Sequence, residues 1–174
     1  SLSLEQIRIV MEAWRDRTRE ISKLPNIAHI FPFENRGVEI GVTLHHPHGQ
    51  IYSYSYLPPR VEKMLKIAVD HLAKHSRPLL TDIIAREIKD EVRIVAQNSD
   101  WIAYVPFASR YPFEIHIAPK VFTADLAELT DTQADSFGAV AKESLQRLDG
   151  VFGIEMAYMA SWHQAPVHVG RDAL

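Results

Sequence analysis

Cysteine is absent from the 174 residues. That excludes disulfides and any metal site built on thiolates. No apolar run approaches the ~20 residues a helix needs to cross a bilayer, and no secretory signal pattern opens the sequence. A basic surplus is also missing: 19 Lys and Arg stand against 22 Asp and Glu, a formal charge of −3. A nucleic-acid-binding domain would carry the opposite balance. No low-complexity linker divides the chain. An initiator methionine is lacking, since the chain opens Ser1-Leu2-Ser3-Leu4 and closes Gly170-Arg171-Asp172-Ala173-Leu174. Both ends read as cuts through something longer, and a cytoplasmic location is the default expectation.

What is present suits one soluble domain with a real core. Hydrophobic residues make up 47% and charged residues 24%, the ordinary proportions of a globular chain. Residues 4–22 carry Ile7, Val10, Met11, Trp14, Thr18 and Ile21 at helical spacing, and Ser3 with Gln6 fits a capping box. Residues 27–34 and 38–44 read as strands joined through Asn35-Arg36-Gly37. Residues 48–56 alternate at period two, which puts His48, Gln50, Tyr52, Tyr54 and Tyr56 on one face of a strand.

Pro58-Pro59 ends that strand. Helices are expected over 60–76 and 79–90, then strands over 92–97, 101–107 and 112–118. A last long helix starts at Thr130, with Ala134, Phe137, Ala141, Leu145 and Leu148 on one face and Gly150 as its stop. A final strand covers 154–160. The mixture predicts an α+β fold, with the strands of 27–56 and 92–119 in one antiparallel sheet and helices on one side.

Three of the nine histidines, His45, His46 and His48, fall within four positions and lead into Gly49 and Gln50. An imidazole with a pKa near ~6.5 is largely neutral and nucleophilic at pH 7. Its attack on phosphorus gives a phosphoramidate reactive enough to pass the group onward. Gly49 leaves room for a phosphate beside the backbone. Gln50 shares a face with His48 and is placed to donate to a phosphate oxygen. A His-x-His pair on a strand also serves as a surface feature or as a pair of metal ligands. Spacing alone leaves nucleophile and ligand unresolved.

Phe33-Glu34-Asn35-Arg36-Gly37, followed by a short apolar run and His46-Pro47-His48-Gly49-Gln50-Ile51, resembles the active-site block of the galactose-1-phosphate uridylyltransferases, a family of the histidine-triad superfamily. The likeness continues through Tyr56-Leu57-Pro58-Pro59, Trp101 to Pro106, Tyr111 to Glu114, Ala118-Pro119-Lys120 and Ser161 to Pro166, and so covers nearly the whole chain. It implies a histidine-triad-like fold of two related halves. Residues 1–59 would be the catalytic end of the first half, 60–98 a helical excursion and 99–174 the start of the second, together one compact unit.

The resemblance also implies roles. His48 matches the histidine that becomes uridylylated, and Gln50 the glutamine that holds the phosphate of that intermediate. Asn35 and Thr43 match phosphate-contacting residues. His46 matches a ligand of a structural zinc, and His163 a ligand of a second, iron-type site. The cysteine pair of the zinc site is missing, and Glu62 is the nearest candidate for the second site's glutamate, so both metal sites are incomplete here. Ala157-Tyr158 stands where Pro-Tyr is more typical.

The implied reaction is a ping-pong exchange of UMP between UDP-glucose or UDP-galactose and a hexose 1-phosphate, with no organic cofactor. Alternatives are another nucleotidyltransferase or phosphorylase of the superfamily, or a portion that works only with a complementing N-terminal polypeptide. A homodimer is the other assembly expected.

The remaining candidates read more plainly. His71 and His75 sit four apart on a solvated helix face, and His29 and His116 are satisfied core or edge histidines. His168 belongs to a loop, and Trp14 and Trp162 pack. The tyrosines at 52, 54 and 56 line a substrate or dimer surface or pack beneath the helix at 60–76, the second being the expectation, and the Glu143-Ser144 and Arg147-Asp149 charges belong to a solvated face.

Overall fold

The computed structural model describes residues 2–42 and 49–174. Helix α1 (Leu4–Ser22) begins with the expected capping box, Ser3 and Gln6 each accepting from the other's backbone N–H. Its inner face buries Met11 and Thr18, but also Arg15. The two terminal nitrogens of that arginine offset the burial: Nη2 donates to the Leu129 carbonyl at 2.5 Å and Nη1 pairs with Glu12 at 2.7 Å and Asp131 at 3.1 Å, while Nε has no partner among the described residues.

Strand β1 (His29–Arg36) is central in a three-stranded antiparallel sheet. On one side it pairs with β2 (Gly49–Tyr54), on the other with β6 (Tyr158–Ser161). Between β2 and β6 run α2 (Pro59–His75), α3 (Leu79–Asp90), the strands β3 (Ile94–Gln97), β4 (Trp101–Tyr104) and β5 (His116–Pro119), and helix α4 (Asp131–Phe152). The strands β3, β4 and β5 form a second antiparallel sheet, with β4 in the middle and fully buried. The fold is α+β, as expected, but its strands make two sheets instead of one.

Other expectations are corrected. Residues 38–44 were expected to be a strand, yet Val38–Ile40 form a single 3-10 turn. Gly37 and Gly41 enter and leave that turn at φ 112° and 82°, values that break an extended run. Helix α4 passes Gly150 and stops at Gly153, which takes the left-handed φ of 68°. Its start repeats the capping device, with Thr130 and Gln133. Ser144 is buried and bonds the Val140 carbonyl, so it does not sit on a solvated face.

The core lies where α1, α4 and the two sheets meet. Trp101 is wholly buried and donates its indole N–H to the Gln133 carbonyl at 2.7 Å. Trp162 packs edge-on against Trp14 at 5.8 Å and against Trp101 at 6.3 Å, with Phe137 at 5.0 Å. The two tryptophans expected to pack do so. Replacing Trp101 by Ala should cost about 3–5 kcal/mol in chemical denaturation; a loss below about 1 kcal/mol would show that the two sheets do not share this core.

His29 is buried, but it is not satisfied: Nδ1 has no hydrogen-bond partner among the described residues. Burial lowers its pKa below the ordinary histidine value. The folded state therefore disfavours the proton that the unfolded state accepts. Its contribution is complete above the unfolded-state pKa of about 6.5 and is lost as pH falls below it. The urea midpoint should drop between about pH 7.5 and pH 5.5, and His29→Leu should flatten that dependence. An unchanged slope in the variant would remove His29 as the cause.

Candidate active site

The sheet β2-β1-β6 has two unlike faces because strand side chains alternate. Ile30 and Pro32 point toward the helices and are buried. Gly49 lies on that side as well, and a Cβ there would come within 3.2 Å of the Trp14 ring. Close passage of α1 is thus a second reason for glycine beside the histidine cluster, and the spacing of residues gave no sign of it.

The opposite face carries His29, Phe31, Phe33 and Asn35 from β1. The register sets Gln50 against Phe33 and Tyr52 against Phe31 on one side, and Ser161 against Phe33 and Met159 against Asn35 on the other. The Trp162 N–H continues the pairing by donating to Pro32 at 2.9 Å. His163 therefore reaches the same face, its ring 5.9 Å from that of Phe31. Asn35 and Gln50 are diagonal neighbours on adjacent strands, a relation that spaces residues about 7–8 Å apart.

Aromatic rings form the floor. Phe33 meets Tyr52 edge-on at 4.9 Å, and the contacts run on from Tyr52 to Tyr54 to Tyr56 at 6.5 and 5.5 Å. Tyr52 and Tyr56 are 49% and 59% exposed. The stripe is therefore not buried beneath α2 as expected, and Gln50 at its end is exposed as well. Two carboxamides on an open, largely uncharged floor are suited to donating N–H groups to a phosphate.

Thr43, His46 and His48 lie outside the described residues, as does His45. Gln50 and Asn35 are brought together; His163 stands farther along the face. The His163 Nε2 lies 3.2 Å from the Ser161 hydroxyl. Desolvation by surrounding protein, reinforced by nearby Arg60 and His116, lowers the His163 pKa.

No three His, Asp or Glu side chains among the described residues converge to hold a metal. Glu62 is exposed on α2. His71 is half-buried instead of solvated, bonding Asp82 at 2.9 Å, and His75 stacks on it. His116 is an exposed residue on the edge strand β5, bonded to Glu114. His168 lies outside any helix or strand.

The N-terminal domain model of galactose-1-phosphate uridyl transferase matches residues 1–58, and the C-terminal domain model matches residues 64–173. A galactose-1-phosphate uridylyltransferase of Streptomyces lividans is 43% identical over 169 residues, covering 95% of this chain and 48% of that protein. A solved uridylyltransferase structure is 40% identical with a TM-score of 0.89, covering 95% of this chain and 52% of the other. An ADP-glucose phosphorylase from Arabidopsis thaliana, solved with bound ADP-glucose, is 25% identical with a TM-score of 0.88, covering 99% and 54%. The chain spans about half the length of the relatives it matches. With both domain models accounting for nearly every residue, the chain belongs to the galactose-1-phosphate uridylyltransferase family.

Proposed function

We propose that this chain is the part of a UDP-glucose–hexose-1-phosphate uridylyltransferase that carries the covalent intermediate, with His48 as nucleophile. The observation that carries the reading is the pair of carboxamides, Asn35 and Gln50, on one open face of the sheet, with Gln50 two residues after His48 in sequence. Family membership supplies the donor and acceptor.

In the first half-reaction a neutral His48 nitrogen attacks the α-phosphorus of UDP-glucose. An N–P bond forms as the P–O bond to glucose 1-phosphate breaks. In the second, a phosphate oxygen of galactose 1-phosphate attacks the same phosphorus, giving UDP-galactose and returning the electron pair to the imidazole. Gln50, Asn35 and Thr43 donate to the oxygens on which negative charge concentrates.

No step is routed through a metal. Zinc at His46 and iron at His163 would need ligands that the described residues do not bring together. No described helix is long and apolar enough to cross a membrane. A second copy, or a polypeptide supplying the preceding part of the family's length, completes the assembly in this reading, and the setting is the cytoplasm. The likeness to an ADP-glucose phosphorylase supports a second acceptor, inorganic phosphate, which would release UDP from the same uridylyl-histidine.

The test is covalent labelling from UDP-glucose carrying a radioactive α-phosphorus. His48→Ala should abolish it, and Gln50→Ala should slow it by about a hundredfold. Label retained by His48→Ala would reject the nucleophile. Chasing the labelled protein with galactose 1-phosphate or with phosphate then identifies the acceptor.

A further inference from the structure

Asn35 does not hold its place alone. Its neighbours Glu34 and Arg36 point to the opposite face of β1, and each is tied to the last third of the chain. The Tyr158 hydroxyl donates to Glu34 Oε1 at 2.7 Å. The Arg36 guanidinium lies 4.9 Å over the Tyr158 ring. It also donates to the Met156 carbonyl through Nη2 at 2.7 Å and Nε at 3.1 Å, and pairs with Asp149. Asp149 accepts the Met156 N–H at 2.8 Å with the same oxygen that takes Arg36.

The backbone agrees with the side chains. Asn35 pairs with Met159 and Arg36 with Tyr158. Gly37 then turns at φ 112°, and a Cβ there would meet the Ala157 Cβ at 2.5 Å. Asp149, at the end of α4, is therefore part of a closed network and not a solvated helix charge. Burial works against its ionised form, but the Met156 N–H and the Arg36 guanidinium outweigh it and hold its pKa below the usual value.

We infer that Asp149 and Tyr158 are positioning residues for the reaction: by clamping Glu34 and Arg36 from below, they fix the direction in which the Asn35 carboxamide meets the substrate phosphate. The inference rests on the proposed function for its consequence, while the clamp is a property of the chain alone. It makes the C-terminal third a working part of the site formed by the first 58 residues.

Tyr158→Phe keeps the ring and removes the hydroxyl, while Asp149→Asn keeps the shape and removes the charge. In the full chain, both should speed amide exchange at Asn35 and Arg36 at least tenfold over that of β4, and shift the Asn35 side-chain amide resonance. Both should slow uridylylation at saturating UDP-glucose about tenfold, with little change in the concentration giving half-maximal rate. Asp149→Glu should restore most of the rate.

Uniform faster exchange with a lower Tm, or unchanged exchange at Asn35 and Arg36, would overturn the clamp. Local loosening with an unchanged labelling rate would overturn its catalytic consequence. If the unmodified chain takes up no label with any partner, the proposed function fails, and exchange and the Asn35 resonance still decide the clamp.

Discussion

The pairing of β1 on both edges is the constraint on which the rest depends. A strand held on both sides cannot slip by one residue without exchanging its two faces. Here that exchange would drive Asn35 and Phe33 into the helices and turn Ile30 and Pro32 to solvent. The β2 pairing fixes Gln50 relative to Asn35. The β6 pairing fixes Asn35 relative to Tyr158 and Met159, more than 120 residues later. Two segments distant in sequence thus determine one local geometry.

That geometry separates support from chemistry by the two-residue period of the strand. The inner face is packed by the Trp14, Trp101, Trp162 and Phe137 cluster, a rigid foundation of rings in mutual edge contact. The outer face carries amides, hydroxyls and exposed aromatics. An antiparallel sheet normally presents polar residues on a solvated face. Here that face carries Phe31, Phe33, Tyr52 and Met159 instead, and Tyr52 and Met159 are exposed.

Much of this was legible in the residues. The helix at 4–22 follows from its apolar spacing and capping box, the helix at 79–90 starts after the Arg77-Pro78 break, and the period of 48–56 places Gln50 with the tyrosines. The failures have physical causes. A short β-branched run at 38–44 looks like a strand, but glycines at 37 and 41 with positive φ fold its start into a turn. Period cannot tell whether strands share a sheet, so two sheets were read as one. Buried charges such as Arg15, and the Asp149 and Tyr158 clamp, depend on partners more than 100 residues away that no local window contains. The tyrosine stripe was misplaced because amphipathic pattern shows that a face is apolar and not what covers it.

The most direct test of the central claim is to locate the modified residue. Cleavage after Arg36 and Arg60 releases the 37–60 segment, which contains His45, His46 and His48 and no internal Lys or Arg. After incubation with UDP-glucose at neutral pH, fragmentation of that peptide should put one uridylyl group on His48. A uridylyl group on His45 or His46, or on any residue outside 37–60, would contradict the account.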